Sequence, residues 1–126
     1  MRLAPLLGLA LSAPAFAAQL SPEAELARIL NGATPGKPQT CLPAFDRSEG
    51  KNVPQIGIVY GWGRTLYLNR FQDGCHLDRD DVVVTSTPTG ELCRGDIAHI
   101  VGSTSHIEHD SCVFGDFVPY TKAKGR

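Results

Sequence analysis

The chain has 126 residues, 42% of them hydrophobic and 20% charged, with 12 Lys and Arg against 13 Asp and Glu. That length suits one ordinary domain with a modest core. The slightly acidic balance argues against a nucleic-acid binder held by phosphate contacts, which needs a basic face.

The N-terminus is expected to be a signal peptide. Met1-Arg2 carries a positive charge, Leu3 to Leu11 is apolar apart from Pro5 and Gly8, and Ser12-Ala13-Pro14-Ala15-Phe16-Ala17-Ala18 follows. A charged start, a short apolar run and small residues at a cleavage site are the three parts of an export signal. Ala15-Phe16-Ala17 places the cut after Ala17. The apolar run falls well short of the roughly 20 residues of a bilayer span, and Pro5 and Pro14 spoil a long helix. No cysteine sits just past the cut, so a lipid anchor is not expected, and neither is a later membrane span. Cleavage of 17 residues from 126 leaves 109, with 11 Lys and Arg against 13 Asp and Glu and a net charge of −2. The mature protein is expected in the periplasm or outside the cell.

Residues 18–39 read as a short helix and a linker. Ser21 can cap a helix, Pro22 suits its first position, and Glu23 and Glu25 complement the positive end of its dipole. Gly32 can close it in the left-handed conformation. Leu26, Ile29 and Leu30 form one apolar stripe, which must dock if so short a helix is to persist. Residues 33–39, rich in Pro and Gly, read as linker.

Residues 40–126 read as a single small β domain. Residues 55–60 alternate, with Ile56, Ile58 and Tyr60 on one face. Gly61-Trp62-Gly63-Arg64 is a turn. Residues 65–71 return with Leu66 and Leu68 on one face and Tyr67, Asn69 and Phe71 on the other, which completes a hairpin. Val82 to Thr85 is a β-branched strand, and Pro88-Thr89-Gly90 turns. Residues 91–94 and 97–101 form further strand around a break at Gly95. Residues 112–120 make the last strand, with Gly115 as a bulge. The fold expected is mostly β: a small, disulfide-stapled antiparallel barrel or sandwich with one short N-terminal helix.

Four cysteines stand at 41, 75, 93 and 112. An even count in an exported chain reads as two disulfides. Zinc sites favour close pairs, whereas the nearest spacings here are 18 and 19 residues. Three connectivities are open. The pairing favoured is Cys75–Cys93 with Cys41–Cys112, because Cys41 opens the first strand and Cys112 the last.

Four segments, Tyr67-Leu68-Asn69-Arg70-Phe71, Cys75-His76-Leu77, Leu92-Cys93-Arg94-Gly95-Asp96-Ile97 and Ser111-Cys112-Val113-Phe114-Gly115-Asp116-Phe117, resemble a family of small exported proteins of Gram-negative bacteria. That family is defined as a domain of unknown function. The resemblance covers residues 41–120 and departs at Leu77, which follows Cys75 by two residues where the family has three. It implies an exported disulfide domain and no activity.

Several groups could carry function. His106, His109 and Asp110, with Glu108 between them and His99 on the preceding strand, are ligand types for zinc, copper or nickel. On a helical turn His106 and His109 would face together; on a strand they would not. Asp73, Asp78, Asp80 and Asp81 could hold calcium, but an EF-hand counted from Asp78 puts Val83 at its glycine and Thr89 at its glutamate, so exposed loop carboxylates are expected instead. Arg94-Gly95-Asp96 matches an adhesion tripeptide, yet Gly95 as a bend and Asp96 bonded to local amides account for it. Neither G-x-S-x-G nor H-E-x-x-H occurs, and His99 with Asp96 and Ser103 forms only a nominal triad. The reading therefore leans away from an enzyme and names no cofactor. First expected is a binding domain using Trp62, Arg64 and Tyr67 on a protein or glycan partner. A metal-binding protein using His99, His106, His109 and Asp110 is the alternative, and a small hydrolase or inhibitor-like factor is the third. No nucleic-acid partner is expected, and the oligomeric state is open.

Overall fold

The computed structural model describes residue 8 and residues 20–42, 50–61, 63–87 and 89–124. The expected signal peptide (residue 8 apart), Trp62 and Pro88 lie outside the described residues.

Helix α1 spans Pro22–Leu30. Ser21 Oγ accepts the Ala24 N–H at 3.2 Å, and Pro22 fills the first turn, where its missing N–H costs nothing. The left-handed cap expected at Gly32 begins one residue earlier, at Asn31 (φ 46°), with Gly32 following at φ 75°. Arg70 reaches Glu23 at 2.9 Å, and that bond holds the Glu23 carboxyl below its usual range.

Among the described residues ten strands follow: β1 (Thr34–Pro35), β2 (Cys41–Leu42), β3 (Gly50–Val53), β4 (Gly57–Tyr60), β5 (Thr65–Arg70), β6 (Val82–Thr85), β7 (Leu92–Cys93), β8 (Ile97–Val101), β9 (Glu108–Val113) and β10 (Phe117–Thr121). They pair antiparallel as a five-stranded sheet β1-β10-β5-β4-β3, a three-stranded sheet β6-β8-β9 and a ribbon β2-β7.

Side-chain alternation sorts these elements into layers. Val53, Val59, Leu66 and Leu68 turn to one face of the large sheet and pack with Leu26 and Leu30 of the helix. Ile58, Tyr60, Phe71 and Phe117 turn to the other and meet Ala98, Ile100, Cys112 and Phe114. The Phe71 and Phe114 rings stand 5.1 Å apart, tilted. Covered on both faces, β4 is buried at all four positions. The helix thus survives by docking: burying each leucine contributes about 2 kcal/mol. Among the described residues no helix is long and apolar enough to cross a membrane.

The mostly-β architecture and single short helix are as expected, but five details are corrected. Residues 33–39 are not merely linker. Thr34 and Pro35 pair with Thr121 and Tyr120, and Gln39 exchanges two backbone bonds with Phe117. An edge strand tolerates Pro35, which has no N–H to give. Residues 54–56 form a turn with Gln55 at φ 67°, so Ile56 joins the helix-side core while Ile58 and Tyr60 face the other way.

The strand expected over 112–120 is two strands in two sheets, joined by residues 114–116. Gly115 is not a bulge but a close approach. A Cβ there would stand 2.5 Å from the Arg70 carbonyl oxygen. Asn69, wholly buried, locks the crossing: its Nδ2 donates to the Gly115 carbonyl at 2.8 Å, and its Oδ1 accepts the Gly115 N–H at 2.9 Å.

The disulfides are Cys41–Cys93 and Cys75–Cys112, not the favoured pairing. Cys41 and Cys93 are directly opposite in the β2-β7 ribbon. Cys112 lies within β9 rather than opening the last strand, facing inward beside Ala98. It can therefore meet Cys75, which follows β5, and the bridge ties the two large layers together. Finally, the Asp81 side chain is only 8% exposed, against the expected solvated carboxylate.

Candidate binding cleft

The edge strands β3 and β6 border one cleft of about 750 Å³. Asp81, Val83, Thr85 and Thr87, at alternate positions, supply one wall; Gly50 and Asn52 stand opposite. The floor is Ile58, Tyr60 and Leu92, all buried members of the inter-sheet core, so the cleft bottoms on the core. Lys51 and Arg79 complete the rim.

Side chains fasten the two walls together around Asn52 and Asp81. Asn52 Nδ2 lies 2.7 Å from the Asp81 carbonyl oxygen, 3.2 Å from that of Asp78 and 3.3 Å from that of Arg79, sharing its two hydrogens among three acceptors. Asp81 Oδ2 accepts the Asp78 N–H at 2.8 Å and faces His109 Nε2 at 3.1 Å. Arg79 reaches back to helix Glu25 at 2.6 Å. Beyond that ion pair a second groove of about 800 Å³, lined by Pro22, Ile29, Pro54, Asp78 and Asp80, shares Lys51 and Arg79 with the first. Only the first combines an apolar floor with a sparse polar rim, the usual build of a ligand site.

The residues singled out from sequence fall in separate places. Arg64 is exposed in the turn after β4, where its carbonyl accepts the Lys122 N–H, whereas Tyr67 packs against the inter-sheet core. His99 Nδ1 lies 2.8 Å from Glu108 Oε1, off the line of a hydrogen bond, so this buried nitrogen has a charge neighbour without hydrogen-bond geometry. His109 turns to Asp81, and His76 to Asp110 at 3.3 Å. Asp110 also accepts the N–H groups of His76 and Ser111, each at 2.8 Å, which hold its carboxyl below the ordinary range. His106 sits exposed in a left-handed turn at φ 58°. Among the described residues, the sets of three ligand side chains that converge are Cys41, Glu91, Cys93 and Cys75, Asp110, Cys112, and their cysteines are already in disulfides.

Two sequence motifs resolve into scaffold chemistry. Asp96 Oδ2 accepts the Cys93 N–H at 2.7 Å, Gly95 bends at φ 91°, and Arg94 pairs with Asp116 at 3.0 Å. The nominal triad does not assemble, since Asp96 serves this turn and His99 faces Glu108. Ser48 and Lys51 have the S-x-x-K spacing of a serine nucleophile with a lysine base. Lys51 is on a strand, not the helical turn that brings i and i+3 together, and Ser48 lies outside the described residues. Sequence reasoning missed the cleft because its walls come from segments 30 residues apart; the one local signal was the alternation Asp81, Val83, Thr85, Thr87.

Comparison with protein-family models, curated proteins and solved structures finds no match for this chain.

Proposed function

We propose that this chain is an exported, non-catalytic binding domain of the periplasm or extracellular space, and that its ligand occupies the cleft between β3 and β6. The observation that carries the reading is a cleft with an apolar floor of Ile58, Tyr60 and Leu92 beneath a polar rim. Buried apolar side chains at the foot of a cleft, with a few polar groups at its rim, are the usual build of a ligand site. Two disulfides suit an oxidising compartment. The sequence resemblance to small exported proteins agrees with that location. The proposed surface is the cleft rather than Arg64 and Tyr67, because Tyr67 packs half-buried against the inter-sheet core.

The neutral fluorophore N-phenyl-1-naphthylamine, whose emission rises on leaving water, tests this. Val83→Glu puts a carboxylate into the cleft wall and should abolish the signal. Val84→Glu, on the same strand but facing solvent, should leave it intact. Equal loss in both variants, or no signal from the native protein, refutes the reading.

A further inference from the structure

We infer that the ligand of this cleft is a monomeric amphiphile with an apolar body and a single carboxylate, and that Lys51 receives the carboxylate; this rests on the binding reading above. Among the described residues three ionic side chains line the cleft, and two are already engaged. Arg79 is held by Glu25 at 2.6 Å, and Asp81 by His109 at 3.1 Å and the Asp78 N–H at 2.8 Å. Lys51 alone of the three has no carboxylate partner among the described residues. With Arg79 it makes two cations against one carboxylate among the described rim residues, in a chain whose overall charge is −1.

The placement of Lys51 suits a head group. It stands opposite Val59 on an edge strand, so its Cβ leaves on the helix side, yet it lines both the cleft and the neighbouring groove. A four-carbon stem on an edge strand can carry its ammonium over to the cleft mouth while the stem covers apolar surface. The body then rests on Ile58, Tyr60, Val83 and Leu92. The second groove sets Arg28, Lys51 and Arg79 against Glu25, Asp78 and Asp80, so its described charges balance and it is a poorer home for an anion than the cleft.

Octanoate and octanol separate head from body. Each is titrated against the protein loaded with N-phenyl-1-naphthylamine, at low and high salt. In Lys51→Gln the octanoate affinity should fall about fivefold and lose its salt dependence, as for an exposed ion pair, while octanol affinity is unchanged. Arg64→Gln, which removes a cation elsewhere on the surface, should change neither. Equal behaviour of octanoate and octanol in the native protein and Lys51→Gln overturns the assignment but leaves the binding reading standing. Failure of the fluorophore itself to bind removes both.

Discussion

Replacing Asn69 with alanine tests the central crossing of the fold. Asn69 is fully buried and makes two hydrogen bonds, of 2.8 and 2.9 Å, to the carbonyl and N–H of Gly115, which is also buried. Alanine leaves both backbone groups without these partners in a site closed to water. Each orphaned group costs about 1–3 kcal/mol, and the space left by the amide adds to it. The sum is about 3–5 kcal/mol, a large part of the 5–15 kcal/mol typical of a whole domain. At a urea dependence of about 1.5 kcal/mol per molar, the unfolding midpoint of the oxidised protein falls by about 2 M or more. Asn69→Asp supplies the control. It keeps the shape but, when ionised, cannot donate to the Gly115 carbonyl. Its buried carboxyl is raised above the unfolded value, so stability is greatest below that value and is lost as pH rises through the folded one. Asn69→Asp should therefore approach the native protein most closely in acid and fall furthest behind at neutral pH. An alanine variant within about 0.3 M of the native midpoint would refute the account, since no burial of two unpaired groups is that mild.

Gly57→Ala should destabilise severely, because a Cβ would collide with the Asn69 carbonyl group, which is backbone and cannot yield; Gly74→Ala, in open space, should be nearly neutral by the same urea titration. Peptide mapping without reductant should recover Cys41 linked to Cys93 and Cys75 linked to Cys112. Removing the first bridge as Cys41→Ser with Cys93→Ser should cost about 4 kcal/mol, as the link closes a separation of 52 residues. The Asp110 carboxyl is depressed first by the His76 N–H and then by that of Ser111, so its contribution is present above the ordinary value of 3.8 and lost as pH falls through the folded value. Asp110→Asn should flatten the acid limb of the stability profile and leave the limb above pH of about 6 unchanged in slope.

Much of the local structure was legible because its causes lie within a few residues. Ser21 and Pro22 start the helix, and Leu26 and Leu30 mark its buried stripe. The alternation of Leu66 and Leu68 against Tyr67, Asn69 and Phe71 names the two faces of β5, and the structure puts a core on each. The turn Arg94-Gly95-Asp96 was also readable, since a carboxylate three residues from the N–H it accepts is local chemistry.

The site was much less legible. A period of two assigns side chains to faces but does not say which layer each face meets, and so Asp81 looked like one more loop carboxylate. Its burial depends on His109, 28 residues away, and on the Asn52 amide from another sheet.

The sequence by itself determined the strand-rich architecture, the capped helix and the presence of paired cysteines, because propensity, capping and side-chain alternation act over a few residues. Tertiary structure decided which cysteines join, where the chain between Val113 and Phe117 changes sheets, and that Asn69 closes on Gly115, 46 residues on. It also decided that a cleft runs down to the core between β3 and β6. These outcomes follow from how whole layers pack, and a strand's own residues do not encode which other strand will lie across from it.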